Sequence, residues 1–184
     1  MMRAAPRHPV IETERLRLVS PIGPEFDPVG AFLAPGARSF VDQFPDDEAV
    51  WWSIATIVGH WHLRGWGHFA VLEKATGRPC GLVGPWFPRG WPEPELSWQL
   101  MEGEEGRGIA TEAARAVLDW LFREKGWGSC ISLVEQGNDR SIAMVERLGA
   151  RPEGMFRHRM TGEMRVWRHM PRTAAGRKLL EGWA

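Results

Sequence analysis

The chain has 184 residues, 25% of them charged and 43% hydrophobic, and its 23 Lys and Arg balance its 23 Asp and Glu to a formal net charge of zero. That length supports one domain with a real core, and the neutral balance argues against a global electrostatic footprint for nucleic acid. No apolar run reaches the length of a membrane span and the N-terminus lacks an apolar signal segment, so the expectation is a cytoplasmic protein that touches no membrane.

The single domain is expected to cover residues 1–184, with 1–10 and 172–184 as peripheral tails. Leu16-Arg17-Leu18-Val19 alternates and then meets Ser20-Pro21, which predicts a first strand. The stretch holding Pro24, Pro28 and Pro35 reads as loop with short helices. Asp46-Asp47-Glu48 opens a helical run, because acidic residues suit the positive end of the helix dipole. Trp51, Ile54, Ala55 and Val58 recur at helical spacing, and Gly65 marks the end. A β meander follows: His68–Glu73, a turn at Ala75-Thr76-Gly77-Arg78, Cys80–Phe87, a Pro/Gly-rich loop over residues 88–94, and Glu95–Leu100.

Ala110, Ala113, Ala114, Val117, Leu118, Leu121 and Phe122 form an amphipathic stripe of about four turns, stopping at Gly126. Residues 129–135 predict a buried strand and Ser141–Gly149 a short helix with a glycine cap. Met155–Met170 predicts two strands joined at Thr161-Gly162. The order is that of a mixed α/β (α+β) domain. Cys80 and Cys130 lie far apart without metal-like spacing and read as buried thiols in a reducing compartment; no metal is expected. Eleven Trp accompany no Tyr, so no phenol is available as a catalytic acid.

The segment most informative about chemistry is Glu105-Gly106-Arg107-Gly108-Ile109-Ala110. A strand running through glycines into a helix presents unpaired backbone N–H groups, and these groups with the helix dipole bind anions. A nucleoside-triphosphate P-loop would need Lys-Ser/Thr where Ile109-Ala110 stand, and a dinucleotide fingerprint would need a small residue at Thr111. The loop resembles the acyl-CoA pyrophosphate loop of the GNAT superfamily of N-acetyltransferases, Q/R-x-x-G-x-G/A, at Gly106, Gly108 and Ala110. It departs from that pattern at Glu105. Three further stretches resemble the RimJ/RimL-like branch in the same order: Ile11-Glu12-Thr13-Glu14-Arg15-Leu16-Arg17-Leu18, Glu95-Leu96-Ser97-Trp98-Gln99-Leu100, and Asn138 to Ala150. The resemblance spans roughly residues 11 to 170.

The resemblance implies a twisted, mostly antiparallel sheet flanked by helices, with the fourth and fifth strands of the family core splayed apart. It implies acetyl-CoA as co-substrate and direct attack by an amine in a ternary complex. Backbone amides from Gly106 through Arg107, Gly108, Ile109 and Ala110 to Thr111 would hold the pyrophosphate. The Arg107 guanidinium would either approach a phosphate or remain a solvated loop charge. Pantetheine would pair with the backbone of Leu100 and Met101. Asn138 would hydrogen-bond the pantetheine, or serve as a turn residue or helix cap. Ser141 would stabilise the leaving thiolate, or cap the helix that begins there.

Glu95 would accept the ammonium proton, or stand as a strand-edge charge paired with an arginine. His68 is the reserve base, with a structural role as the alternative. Trp86 and Trp91 flank the loop and would wall the acceptor pocket. The acceptor class is a small-molecule amine or a protein N-terminus, and a homodimer is left open. The competing reading is a non-catalytic acyl-CoA-binding regulatory domain on the same fold.

Overall fold

The computed structural model describes residues 9–22, 27, 46–159 and 162–171. The short helices expected near Pro24, Pro28 and Pro35, most of the N-terminal tail, the C-terminal tail and Thr161 lie outside the described residues. In chain order the elements are β1 (Val10–Glu12), β2 (Leu16–Val19), α1 (Asp47–Arg64), β3 (Phe69–Glu73), β4 (Pro79–Trp86), β5 (Glu95–Leu100), α2 (Ile109–Arg123), β6 (Cys130–Glu135), α3 (Asp139–Leu148), β7 (Arg151–His158) and β8 (Gly162–His169). The strands follow the sheet order β1-β2-β3-β4-β5-β6-β8-β7. Pairs β1–β2, β2–β3, β3–β4, β6–β8 and β7–β8 are antiparallel, and β5–β6 is parallel. This is the mixed α/β fold with a mostly antiparallel sheet that the motif order implies. Among the described residues no helix is long and apolar enough to cross a membrane.

Two compact units emerge, Met1–Gly84 with Trp98–Ala113, and Pro85–Ser97 with Ala114–Ala184. In the first, α1 starts where the Asp46 carboxylate accepts the Ala49 N–H at 2.9 Å, and it stops at Gly65, whose N–H donates to the Trp61 carbonyl at 2.8 Å. Val50, Ile54, Ile57 and Trp61 form the buried stripe, with steps of four, three and four that keep one face inward. Trp51, expected on that stripe, sits one residue round the helix and is 45% exposed. The Trp61 ring meets Phe69 edge-to-face at 5.1 Å, and its Nε1 donates to the His68 carbonyl at 2.7 Å.

Gly81 sets the spacing between β4 and β5. A Cβ there would lie 2.2 Å from the Gln99 carbonyl oxygen and 2.8 Å from Leu100 Cα, and φ is +150°. Only a residue without a side chain admits that approach.

In the second unit, Ala114, Val117 and Leu121 of α2, Ile131 of β6, Val145 of α3 and Trp167 of β8 supply core. β7 begins at Arg151, four residues before the expected Met155. Pro152 and Gly154 disguise it, but an edge strand tolerates proline, and the register slips between Pro152 and Met155. Arg168 ties the segment before β5 to the far strands. Its guanidinium donates to both Glu93 oxygens at 2.6 and 2.8 Å, to both Glu153 oxygens at 2.9 Å, and to Ser129 Oγ at 3.1 Å. Paired forks of this kind fix orientation as well as position, so the loop leading into Glu95 is held from its base.

Candidate active site

The loop ahead of α2 belongs to the first unit. Gly106 and Gly108 have φ of +74° and +77°, and nothing crowds a Cβ at Gly106. The glycines are therefore required by left-handed backbone rather than by a tight neighbour. The Asp46 and Asn138 side chains cap α1 and α3. Helix α2 instead starts beside Gly108, which has no side chain to offer. Its first amide bonded to the chain's own backbone is Glu112 N–H to the Gly108 carbonyl, 3.0 Å, which leaves the amides of Ile109, Ala110 and Thr111 without an intrahelical acceptor.

The N-terminal motif orients this loop. Glu112 accepts Thr13 Oγ1 at 2.6 Å, the Arg15 N–H at 3.0 Å and Arg15 Nε at 2.8 Å. Arg15 Nη1 then donates to the Arg107 carbonyl at 3.1 Å. A planar trans peptide puts C=O and N–H on opposite sides, so the Gly108 N–H is turned away from Arg15. The Arg107 side chain is engaged elsewhere, by Glu73 and the buried Glu104, which Arg78 also contacts at 2.5 Å. Its guanidinium, 39% exposed, is thus no lone loop charge; two carboxylates pair with it.

The Met101 N–H donates to the Cys80 carbonyl at 2.8 Å. It therefore faces β4, and the backbone groups of Leu100, one residue earlier, point to the opposite edge.

In the second unit, β5 and β6 pair only at Glu95↔Ile131, with the Ile131 N–H donating to the Pro94 carbonyl at 3.2 Å. Glu95 is 5% exposed. Its carboxylate accepts Trp91 Nε1 at 2.8 Å and the Leu133 N–H at 3.2 Å. Among the described residues no arginine pairs with it. Burial pushes its pKa up to about 7, against the lowering effect of those two donors. A carboxyl poised there is suited to move a proton near neutral pH. The Trp91 ring packs against His158 at 4.8 Å.

The other expected residues separate by role. Asn138 is the cap of α3, its Oδ1 accepting the Ser141 N–H at 3.1 Å. Ser141 is the third helical residue and not the cap, so capping does not occupy its hydroxyl. Trp86, half-buried, ends β4 in the same unit. His68 is buried in the first unit, and burial, then His60, pulls its imidazole down to about 3. A group so weakly basic is a poor proton acceptor. Burial also pushes the Cys80 thiol up to about 11 and raises Cys130 further, so both remain thiols at neutral pH.

Sequence reasoning passed over Thr13, Arg15 and Glu112, although the first two lie inside the quoted N-terminal motif. It also passed over Ser132, a hydroxyl in the otherwise apolar run Cys130-Ile131-Ser132-Leu133-Val134; a polar residue in a buried strand is the signal that could have found it.

Residues 15–151 match the family described as Acetyltransferase (GNAT) domain. An acetyltransferase structure from Agrobacterium tumefaciens is 30% identical, with 92% of this chain and 98% of that one covered and a TM-score of 0.72. A RimL ribosomal L7/L12 alpha-N-protein acetyltransferase in complex with coenzyme A shares the fold at 13% identity, with coverage of 88% and 98% and a TM-score of 0.65. The protein YkkB of Bacillus subtilis is 35% identical over 80 residues, 42% of this chain and 46% of YkkB, so the match spans about half of that relative's length. A family match running from Arg15 to Arg151 covers the loop, Glu95 and Asn138 in one stretch, and the chain belongs to the GNAT acetyltransferase family.

Proposed function

We propose that the chain transfers the acetyl group of acetyl-CoA to a primary amine by direct attack. The observation that carries this is Glu95: a buried carboxyl, raised to about 7, placed where β5 and β6 cease to pair. The pyrophosphate rests on the amides of Gly108 to Thr111, with Arg15 and Glu112 holding the loop. Pantetheine takes the Leu100 backbone, and the Nδ2 donors of Asn138 meet its carbonyls. The amine nitrogen bonds to the thioester carbonyl carbon, Glu95 takes the ammonium proton, and the C–S bond breaks. The Ser141 hydroxyl hydrogen-bonds the departing thiolate, which takes a proton from solvent as Glu95 releases one there, so the proton lost by nitrogen balances the one gained by sulfur in the free thiol. Trp91 and Trp86 line the acceptor side. The acceptor is an α-amine of a protein N-terminus, by likeness to the RimL enzyme, with small-molecule amines as the alternative. A reducing cytoplasm suits the two buried thiols.

Acetyl-CoA is expected to raise the melting temperature while adenosine does little, since only a ligand of the native state stabilises it. Equal shifts from both would overturn the assignment. A panel of N-terminal peptides and small amines, followed by thiol release, identifies the acceptor; binding without thiol release for any amine would leave an acyl-CoA-binding regulator.

Arg15→Met releases the Arg107 carbonyl and the Glu112 contacts. It is expected to weaken acetyl-CoA binding roughly tenfold, about 1.4 kcal/mol, with kcat at saturation nearly unchanged. Titration calorimetry beside steady-state kinetics checks this, and an unchanged Kd would remove Arg15 from the binding machinery.

A further inference from the structure

The parallel pairing of β5 and β6 stops after one register position, and the groups that would have continued it can be named. In a regular parallel ladder the Ile131 N–H bonds the Pro94 carbonyl, and the next β6 amide on that edge, Leu133, bonds the Leu96 carbonyl. The first bond is present at 3.2 Å. The second is replaced on both sides by side chains. The Leu133 N–H donates to Glu95 Oε2 at 3.2 Å, and the Leu96 carbonyl accepts Ser132 Oγ at 2.6 Å. Each backbone group stays satisfied, so the ladder can end inside the protein without the cost of orphaned buried polar groups.

Ser132 is 1% exposed and His169 2% exposed, and His169 Nε2 lies 2.9 Å from Ser132 Oγ. A hydroxyl has a single proton. Ser132 gives it to Leu96, so the contact with His169 requires the imidazole to donate from Nε2. Burial pulls His169 down to about 4, which keeps the ring neutral, and the Ser132 contact then assigns the proton to Nε2. Its Nδ1 is buried with no hydrogen-bonding partner among the described residues. The chain of donors runs one way, from His169 Nε2–H through Ser132 Oγ–H to the Leu96 carbonyl.

We propose that Ser132, aligned by His169, is a positioning residue that diverts the Leu96 carbonyl from β6 and so holds open the gap between β5 and β6 for the acyl thioester. The inference rests on the acetyl-transfer reading, because that reading supplies the occupant of the gap. Glu95 serves in the same wedge from the opposite strand while remaining the proton acceptor.

Ser132→Thr and Ser132→Val test this as a pair, since the two side chains have nearly one shape and differ in the hydroxyl. Titration with acetyl-CoA and with 3′-phospho-ADP, which lacks pantetheine, is run on wild type and both variants. Ser132→Val is expected to weaken acetyl-CoA binding and raise its KM tenfold or more, with 3′-phospho-ADP affinity within twofold and Ser132→Thr close to wild type. In Ser132→Val the Leu133 N–H is also expected to pass from Glu95 Oε2 to the freed Leu96 carbonyl, read as a shift of its amide proton resonance. Equal acetyl-CoA affinity in the two variants overturns the proposal, as does equal loss of both ligands in Ser132→Val. Wild type that binds neither ligand overturns the acetyl-transfer reading itself.

Discussion

Replacing Glu95 by Gln is expected to lower kcat by about 10²–10⁴-fold, the usual loss when a positioned proton acceptor is removed, with acetyl-CoA affinity changed by about twofold or less, because the glutamine oxygen can still accept the Leu133 N–H and keep β5 and β6 apart. The wild-type rate should fall about tenfold per pH unit below the carboxyl's pKa, which burial sets at about 7. The acid limb should vanish in the variant. A glutamine oxygen can serve only one of the two donors, Trp91 Nε1 or the Leu133 N–H, and its own NH2 must face the other. The substitution is therefore not silent for local packing, and the pH profile is the decisive readout. A variant that keeps the wild-type limb would remove Glu95 as the base.

The same carboxyl ties stability to pH. Its folded pKa, about 7, lies above the ordinary 4.5, so the folded state holds the proton more tightly. The resulting stabilisation is complete below 4.5 and is lost as pH rises through about 7. The full span corresponds to about 3 kcal/mol at most. Glu95→Gln deletes this dependence, so the melting temperature of the variant relative to wild type should climb between pH 5 and pH 8. His68 and His169 are depressed and act in the opposite sense, but both chains retain them and they cancel in the comparison.

Gly81→Ala should destabilise by about 3–5 kcal/mol, combining overpacking with backbone strain, or roughly 10–15 °C in melting temperature. The added Cβ meets the Gln99 carbonyl at 2.2 Å, and neither backbone can yield without parting β4 from β5. Gly59, inside α1 with nothing within 4 Å of its added Cβ, is the control of opposite sign, since Gly→Ala in a helix interior gains about 0.5–1 kcal/mol. Two melting curves against wild type decide the matter. Equal tolerance at both positions would show that the close approach at Gly81 does not hold in solution.

Elements with strong periodicity or a glycine stop were legible from residues alone. The stripe of α2, the turn at Gly77, and the caps at Gly65 and Gly149 follow from local rules, because helix period and left-handed backbone are properties of a few neighbouring residues. The meander from Phe69 to Leu100 was legible for the same reason. Trp51 was misplaced because 100° of rotation separates it from Val50, and four apolar residues fit either stripe until the sheet selects one. β1 and the start of β7 were missed because Glu12, Pro152 and Gly154 carry no strand signal; pairing partners far along the chain made them strands.

The candidate site divides in the same way. The sequence by itself determined where the chain turns through Gly106 and Gly108 into α2, since no other residue type takes those backbone angles cheaply. It also determined which carboxyl opens β5. What the carboxyl is was decided only by tertiary structure. Burial pushes the Glu95 carboxyl up to about 7, against the donors four positions before it and thirty-eight after it that favour the charged form, and desolvation is a property of the assembled surroundings. Arg107 was likewise committed to Glu73 and Glu104, and Ser132 to Leu96 and His169, by contacts that no local pattern encodes. Proton affinity and strand separation depend on which groups exclude water and which accept a hydrogen bond, and folding alone brings those groups together.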